Sequence, residues 1–550
     1  MGPCQPPPVL QRPRVRRLTV GLLSAGPALL ILVLGRAVTD RPGLIETISD
    51  GFSRYLPLSV FEAGVSTLGP LAKGLLTLGI AGALLLAGAV VGDLALRRLA
   101  GRSAAGAFVA VALGAFAVVE LVVLPVFGAG FMGFQLASDA LAVQLPTVLA
   151  VLVYAGLLVG LRETWLEPEV PASEAQPSPE PEMPYMRPTP AVGEMSRRRF
   201  VGGSLAVAGA AAMAGAITSL VSQVVEVAGH GGGRDTGVAD PGGFGPTPGL
   251  TPVDDFYQVN KNLGATVVDG STWALVIDGM VDRPEQLTLD QIRALPYEEA
   301  YRTLECISTE IVRGDHLIGN QHWRGTRVSG LLDRVGVQPG ATWILWEADD
   351  GYTESIPVEV ARHPDTWLAY QMGDAPLTDD HGFPARVLIP GRFGMKQPKW
   401  LRRMQLADHD ETGYWEQRGW DKDAVQRTMS RIDYPRHRAS VPVAEPFNVY
   451  GIAFAGDRGI KRVEVSPDDG ATWRDAELED ATMAPLGELS WVRWRIAMTI
   501  ATASVAQVTV RATDGDGNTQ SGDVTPSLPS GSTGWHSIQL VAAAPSASGS

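Results

Sequence analysis

Two kinds of side chain in this 550-residue chain could do chemistry beyond folding: one isolated thiol and one cluster of cations. Only two cysteines occur, Cys4 and Cys306. That is too few for a disulfide framework, and neither a zinc finger nor an iron–sulfur cluster can be built without several sulfur or imidazole ligands at short spacing. Cys306 ends an apolar, strand-like segment, and on its own such a cysteine reads as an inert core residue. The second feature lies between His381 and Lys399, where Arg386, Arg392, Lys396 and Lys399 concentrate positive charge in a chain whose net charge is -14. Arg offers a bidentate fork and Lys a point charge, so the segment suits a phosphate group. Gly382, Gly391 and Gly394 would let backbone approach such a ligand closely. A solvated hairpin is the other reading. The acidic balance argues against a nucleic-acid partner, which would need extended basic surface.

The elements that must position these residues occupy the second half of the chain. Before them, five apolar runs are long enough to cross a bilayer: Leu18 to Gly35, Gly74 to Val91, Ala104 to Phe127, Ala140 to Leu161 and Phe200 to Val221. Arginines flank them at Arg12, Arg14, Arg16 and Arg17, at Arg97, Arg98 and Arg102, and at Arg197, Arg198 and Arg199. All three clusters fall on one side if every run crosses, which puts the N-terminus in the cytoplasm and everything after Val221 outside. Cys4 and Cys306 are then separated by the membrane, and no disulfide joins them. The segment Ser196-Arg-Arg-Arg-Phe-Val201 resembles a twin-arginine export signal, and equally the basic flank of a membrane helix. Glu120, within the third run near Pro125, reads as a helix-end residue reaching the interface, with a proton or substrate path as the alternative. No histidine precedes His230, so paired imidazoles cannot hold a haem in the membrane region.

The expected domain order is a four-helix membrane region over 1–162, a Pro/Glu-rich cytoplasmic linker over 163–195, a fifth membrane helix over 196–222 and a flexible Gly-rich tether over 223–249. Residues 250–430 mix strand patterns (Trp273 to Gly279, Trp343 to Trp346) with a short capped helix beginning at Thr288, which indicates an α+β domain. Residues 431–541 carry runs at about ten-residue spacing: Phe447 to Ala453, Ile460 to Ser466, Trp491 to Met498 and Val505 to Ala512. With turns at Asp469-Gly470 and Asp514 to Gly517, they predict an all-β sandwich of immunoglobulin type. Residues 542–550 form a low-complexity tail.

Eight segments occur in the order of one known family: Asp255-Phe-Tyr-Gln-Val-Asn260, Leu304-Glu-Cys306, Trp323-Arg-Gly-Thr326, Asp350 to Pro357, His381-Gly-Phe-Pro-Ala-Arg386, Pro390-Gly391, Lys399-Trp-Leu401 and Val463 to Trp473. Over about half the chain it resembles the sulfite oxidase family, a molybdopterin-binding domain followed by an immunoglobulin-like dimerisation domain. The resemblance implies a molybdenum cofactor with Cys306 as the protein thiolate on the metal. It implies pterin contacts from Asn260, Lys261, Asn262, Asp349, His381, Arg386, Lys396, Gln397, Pro398 and Lys399, a separate electron carrier such as a cytochrome or quinone-linked protein, and a homodimer. No haem is expected in this chain.

The expected activity is two-electron oxygen-atom-transfer chemistry on a small molecule. The family follows its cysteine with Gly-Asn-Arg, whose arginine helps bind the oxyanion, whereas this chain reads Cys306-Ile-Ser-Thr-Glu310. Arg313 is close enough in sequence to compensate. Trp420 aligns with the tyrosine that the family places near the metal, and it lacks a hydroxyl. Sulfite is therefore an unexpected substrate, and a sulfoxide fits an aromatic wall better. A genuine sulfite dehydrogenase, a cofactor-free membrane-anchored binding module and a transporter are the competing readings.

Overall fold

The computed structural model describes residues 13–39, 43–53, 55, 71–127, 129–132, 140–166, 197–229, 243–261, 265–314, 317–483 and 486–543. Most of the Pro/Glu-rich linker, the tail beyond Ala543 and Asn262 lie outside these residues. The chain divides into two compact units, one ending at Val225 and one running from Glu226.

The first unit is helical: α1 (Pro13–Thr39), α2 (Leu44–Ser53), α3 (Leu71–Arg98), α4 (Ala104–Val118), α5 (Ala140–Leu161) and α6 (Arg197–Gly229). Five of its helical stretches are apolar and long enough to cross a membrane, matching the five sequence runs. Small residues let the axes approach: a Cβ on Gly21 would lie 2.8 Å from the Ala89 carbonyl oxygen, and one on Gly209 would lie 2.5 Å from that of Leu23. Asp93 pairs with Arg17 and Arg97, which fixes the Arg-rich ends of α1 and α3 to each other. Glu120 does not reach an interface as expected. It is 2 % exposed inside the unit, in a π-helical turn (Val119–Val123), and its Oε2 accepts from Gln144 Nε2 at 2.8 Å. Pro125 has no N–H with which to close the preceding turn, which accounts for the widened helix there.

The second unit is β-rich. Its first part holds β1 (Ala274–Gly279), β2 (Glu285–Thr288), α7 (Leu289–Arg293), β3 (Glu298–Glu305), β4 (Ile318–Arg327), α8 (Val328–Val335), β5 (Trp343–Ala348), β6 (Thr353–Pro357), α9 (Val358–Ala361), β7 (Trp367–Met372), β8 (Ala375–Pro376), β9 (Arg386–Leu388) and β10 (Leu401–Ala407). One sheet runs β2-β1-β10-β5-β6 and another β3-β4-β7-β8, with β9 on β7. The capping box read at Thr288 is present with Gln291 as its partner. α8 turns Val328, Leu331, Leu332 and Val335 inward, the spacing of one helical face, against Leu275, Ile277 and Trp346.

The second part holds β11 (Met429–Tyr434), β12 (Ser440–Pro442), β13 (Phe447–Phe454), β14 (Ile460–Ser466), β15 (Arg474–Asp475), β16 (Glu477–Leu478), β17 (Val492–Met498), β18 (Ser504–Asp514) and β19 (His536–Ala543). Its sheets, β11-β13-β17-β16 and β12-β19-β18-β14-β15, share a core of Val449, Trp494, Val463, Val465, Val508, Val510 and Leu540, which makes a two-layer sandwich. Asp469 and Gly470 both take positive φ, at 57° and 88°, as the tight turn after β14 requires.

The expected flexible tether is corrected in its last part. Arg495 Nη1 donates to the Gly243 carbonyl at 2.9 Å, Thr247 Oγ1 donates to Asp433 at 2.6 Å, and Asn320 Nδ2 donates to the Gly249 carbonyl at 2.8 Å. Residues 243–249 are thus strapped onto β17, β11 and β4. Their Gly and Pro content permits this close path across a sheet as readily as it permits flexibility.

Candidate active site

Cys306 follows the last residue of β3 and is 8 % exposed. Its backbone N–H still bonds to the Leu317 carbonyl at 2.9 Å, so the sulfur sits where a strand gives way to a loop, on a rigid base. Thr309 N–H donates to the Cys306 carbonyl at 3.1 Å and Thr309 Oγ1 to the same oxygen at 2.8 Å, closing the turn twice. Cys306 Sγ and Ser308 Oγ are 3.0 Å apart.

The C-terminal sandwich buttresses this loop. Ser532 Oγ donates to the Thr309 carbonyl at 2.7 Å and accepts from Ile311 N–H at 3.0 Å, while Ser527 N–H donates to Glu310 Oε1 at 3.2 Å. Ile307, Phe393, Met395, Trp420, Ala424 and Leu528 form one apolar cluster, so Trp420 stands beside the residue that follows Cys306. Arg313 ends the turn Ile311–Arg313, and its side chain lies outside the described residues.

Tyr257 lies within electrostatic reach of both Cys306 and Arg386. It stacks on Phe256 (centroids 5.3 Å apart), and Phe256 in turn meets the rings of Trp323 and His381 edge-on. Burial, and then the charge of Cys306, push the Tyr257 hydroxyl far above its ordinary range, while the charge of Arg386 opposes the shift. A Cβ on Gly394 would lie 3.0 Å from that hydroxyl, a tight contact that any larger residue there would have to relieve.

Arg386, on β9, is 6 % exposed, and burial pulls its guanidinium from 12.5 down to about 10. Its Nη1 donates to the His381 carbonyl at 3.3 Å, the group stands 5.4 Å over the Trp323 ring, and its Nε is buried with no partner. Lys399 is drawn from 10.5 to about 7, by burial first and then by Arg386. Its Nζ donates to the Asp380 carbonyl at 2.8 Å and to Asn260 Oδ1. Gly382, at φ +104°, makes room for it: a Cβ there would meet Lys399 Cβ at 2.9 Å. Among the described residues no carboxylate forms an ion pair with either cation. Holding two neighbouring cations in the interior, with Asp350 and Asp380 acting on Lys399 without forming an ion pair, is costly, and a ligand anion is the usual compensation. Together with an orphaned guanidinium Nε, this donor set is of the kind that would hold the phosphate of a molybdopterin.

The other expected contacts divide. Asn260 is brought to Lys399, and Lys261 Nζ stands 5.3 Å over the Tyr414 ring. His381 is buried, with Nε2 3.1 Å from the Val253 carbonyl, and burial followed by the charge of Lys399 lowers its pKa to about 4. It is therefore neutral, and adds no positive charge for a phosphate. Asp349 is tied by its N–H to the Trp400 carbonyl at 2.9 Å, whereas the carboxylates whose charge reaches Lys399 are Asp350 and Asp380. Pro398 supplies a carbonyl to Val387 N–H at 2.9 Å.

Two expectations are corrected. Lys396 is not available to a phosphate: its Nζ donates to Glu354 and Glu416 at 2.6 Å each and to the Ser355 carbonyl at 3.1 Å, using all three protons. The amide of Gln397 donates to the Arg392 carbonyl at 2.7 Å and accepts from Ile389 N–H at 3.1 Å, so it shapes the loop. The residues that sequence reasoning passed over are Tyr257, Ser308 and Asp350. Tyr257 lies inside a quoted family segment, and its neighbour Phe256 gave the only hint of an aromatic floor.

Fold and site define the class, a molybdopterin-binding oxidoreductase. Residues 262–415 match the oxidoreductase molybdopterin binding domain, and residues 424–542 match the Mo-co oxidoreductase dimerisation domain. Over 332 residues the chain is 30 % identical to sulfite oxidase of Gallus gallus, covering 52 % of this chain and 72 % of that protein. Over 295 residues it is 32 % identical to mitochondrial sulfite oxidase of Drosophila melanogaster, covering 46 % of this chain and 51 % of that one, so it spans about half the length of that relative. A nitrate reductase [NADH] of Brassica napus is 29 % identical over 49 % of this chain and 36 % of its own length. The chain belongs to the sulfite oxidase family.

Proposed function

We propose that this chain is a membrane-anchored molybdenum-cofactor oxidoreductase whose catalytic unit, residues 250–430, lies outside the membrane, with residues 431–541 as its dimerising partner domain. The observation that carries the reading is the pair Arg386 and Lys399, held in the interior with no ion pair among the described residues and with Tyr257 within electrostatic reach of both Arg386 and Cys306. Arg386, Lys399 and Asn260 hold the phosphate end of the cofactor, Lys261, Asp349 and neutral His381 line it, and Cys306 holds the metal. The cofactor supplies two-electron oxygen-atom-transfer chemistry. The protein orients it and exchanges electrons with a separate cytochrome or quinone-linked carrier, which for a sulfoxide substrate supplies the two electrons that, with two protons, release the oxygen as water. Five apolar helices with arginines at one set of ends support the topology.

Sulfite is not the substrate in this reading. The wall beside Ile307 is apolar, built of Phe393, Met395, Trp420 and Leu528, and Glu310 is turned to the Ser527 backbone. A neutral, polarisable sulfoxide meets such a wall at less desolvation cost than a dianion does. Relatives named for sulfite and for nitrate align with comparable identity, so identity alone does not choose between them. The test is molybdenum and pterin analysis of the full chain purified in detergent, followed by steady-state assays with sulfite and with sulfoxides using artificial electron carriers. One molybdenum per chain with turnover of sulfoxide is expected. Protein free of metal and pterin refutes the cofactor, and rapid, saturable sulfite oxidation refutes the substrate.

A further inference from the structure

The hydroxyl of Ser308 has one hydrogen bond among the described residues, and it is to sulfur: Oγ lies 3.0 Å from Cys306 Sγ. The loop imposes this geometry. Thr309 closes the turn on the Cys306 carbonyl with both its N–H and its hydroxyl, at 3.1 and 2.8 Å, leaving Ser308 as the turn residue whose side chain faces back toward the thiol. Ser532, 3 % exposed, clamps the next two peptide groups at 2.7 and 3.0 Å. Ser308 is only half-buried, so water could have satisfied its hydroxyl, yet the turn directs it to the sulfur.

We propose that Ser308 is a positioning residue that sets the reduction potential of the metal held by Cys306. This rests on the reading of Cys306 as the metal ligand. A coordinated thiolate carries no proton, so the hydroxyl is the donor and the sulfur lone pair the acceptor. Donation draws electron density from sulfur and weakens its support of the metal. The more oxidised metal depends most on that support, so the bond raises the potential. Thr309, the next hydroxyl along, cannot substitute, because its proton is spent on the Cys306 carbonyl.

The experiment compares wild type, Ser308→Ala and Ser308→Thr as full-length cofactor-loaded proteins. X-ray absorption counts the sulfur ligands on molybdenum, and potentiometric titration followed by electron paramagnetic resonance gives the midpoint potentials. The expected result is an unchanged sulfur count in all three, a downward shift of the potentials in Ser308→Ala and wild-type potentials in Ser308→Thr. Potentials unmoved in Ser308→Ala, or shifted equally in Ser308→Thr, overturn the inference while leaving Cys306 as ligand. A wild-type spectrum without a protein sulfur on molybdenum overturns both readings together.

Discussion

Arg386→Met separates a cation kept for a ligand from one kept for the fold. The guanidinium is pulled from 12.5 to about 10 by burial. At about 1.4 kcal/mol per pK unit, holding it charged inside the protein costs about 3 kcal/mol. Because the shifted value is still far above neutrality, this cost is constant through the physiological range and is relieved only above pH 10. Against it stand the Trp323 contact at 5.4 Å, about 1 kcal/mol, and one long hydrogen bond to the His381 carbonyl, about 1 kcal/mol. Met is shorter than Arg, but it is unbranched and apolar and can adapt to most of the same space at a modest packing cost. Cofactor-free protein should therefore keep its stability or gain about 1 kcal/mol, a rise of no more than a few degrees in a unit this large. The loaded protein should respond in the opposite sense. Removing one partner of a buried charge pair costs about 3–5 kcal/mol, enough to lower cofactor retention by about a hundredfold or more. The assay is calorimetry of the detergent-purified chain from hosts with and without cofactor synthesis, with pterin read by fluorescence after oxidation. Full pterin content together with a clear loss of stability in the cofactor-free variant would refute the reasoning and make Arg386 a structural residue.

Other perturbations follow from the same geometry. Cys306→Ser should abolish turnover while retaining pterin, because the phosphate contacts are elsewhere; unchanged activity would falsify the ligand assignment. Glu305 is 2 % exposed with Oε2 unpartnered, and burial raises it from 4.5 to about 8 against the pull of Arg431. A raised carboxyl adds stability that is fully present below pH 4.5 and is lost as pH climbs toward 8, on the order of a few kcal/mol. Glu305→Gln should flatten the melting temperature between those limits, and a variant with the wild-type slope would show that Glu305 does not titrate there. A reporter active only in the cytoplasm, fused after Ser550, should stay silent, and full signal from it would reverse the proposed orientation.

Much of the architecture was legible because it depends on local rules. Apolar runs at about ten-residue spacing mark β13, β14, β17 and β18, Asp469-Gly470 tolerates the positive φ of its turn, and Thr288 caps α7 through Gln291. The site was legible only as residue types in order. Lys396 and Lys399 are three residues apart in one basic segment, yet a short 3-10 turn sends one ammonium to Glu354 and Glu416 and leaves the other beside Arg386. No pattern in the segment announces that difference, because the deciding carboxylates come from β6 and from the loop after β10. The same limit applies to Asp350 over Asp349 and to Glu120, whose partner Gln144 lies on another helix. Side-chain pairing across distant elements is a property of the folded chain, and spacing along the sequence does not contain it.

Ser532 reaches across from the C-terminal sandwich to hold the peptide groups of Thr309 and Ile311. A gene fragment stopped near residue 430 would express the Cys306 loop without its brace, leaving two buried peptide groups unbonded and Ile307 and Trp420 stripped of Leu528. The two β-domains are accordingly not interchangeable cassettes. Recombining either one with a homologue would succeed only when the 527–532 loop and the 306–314 loop travel from the same parent.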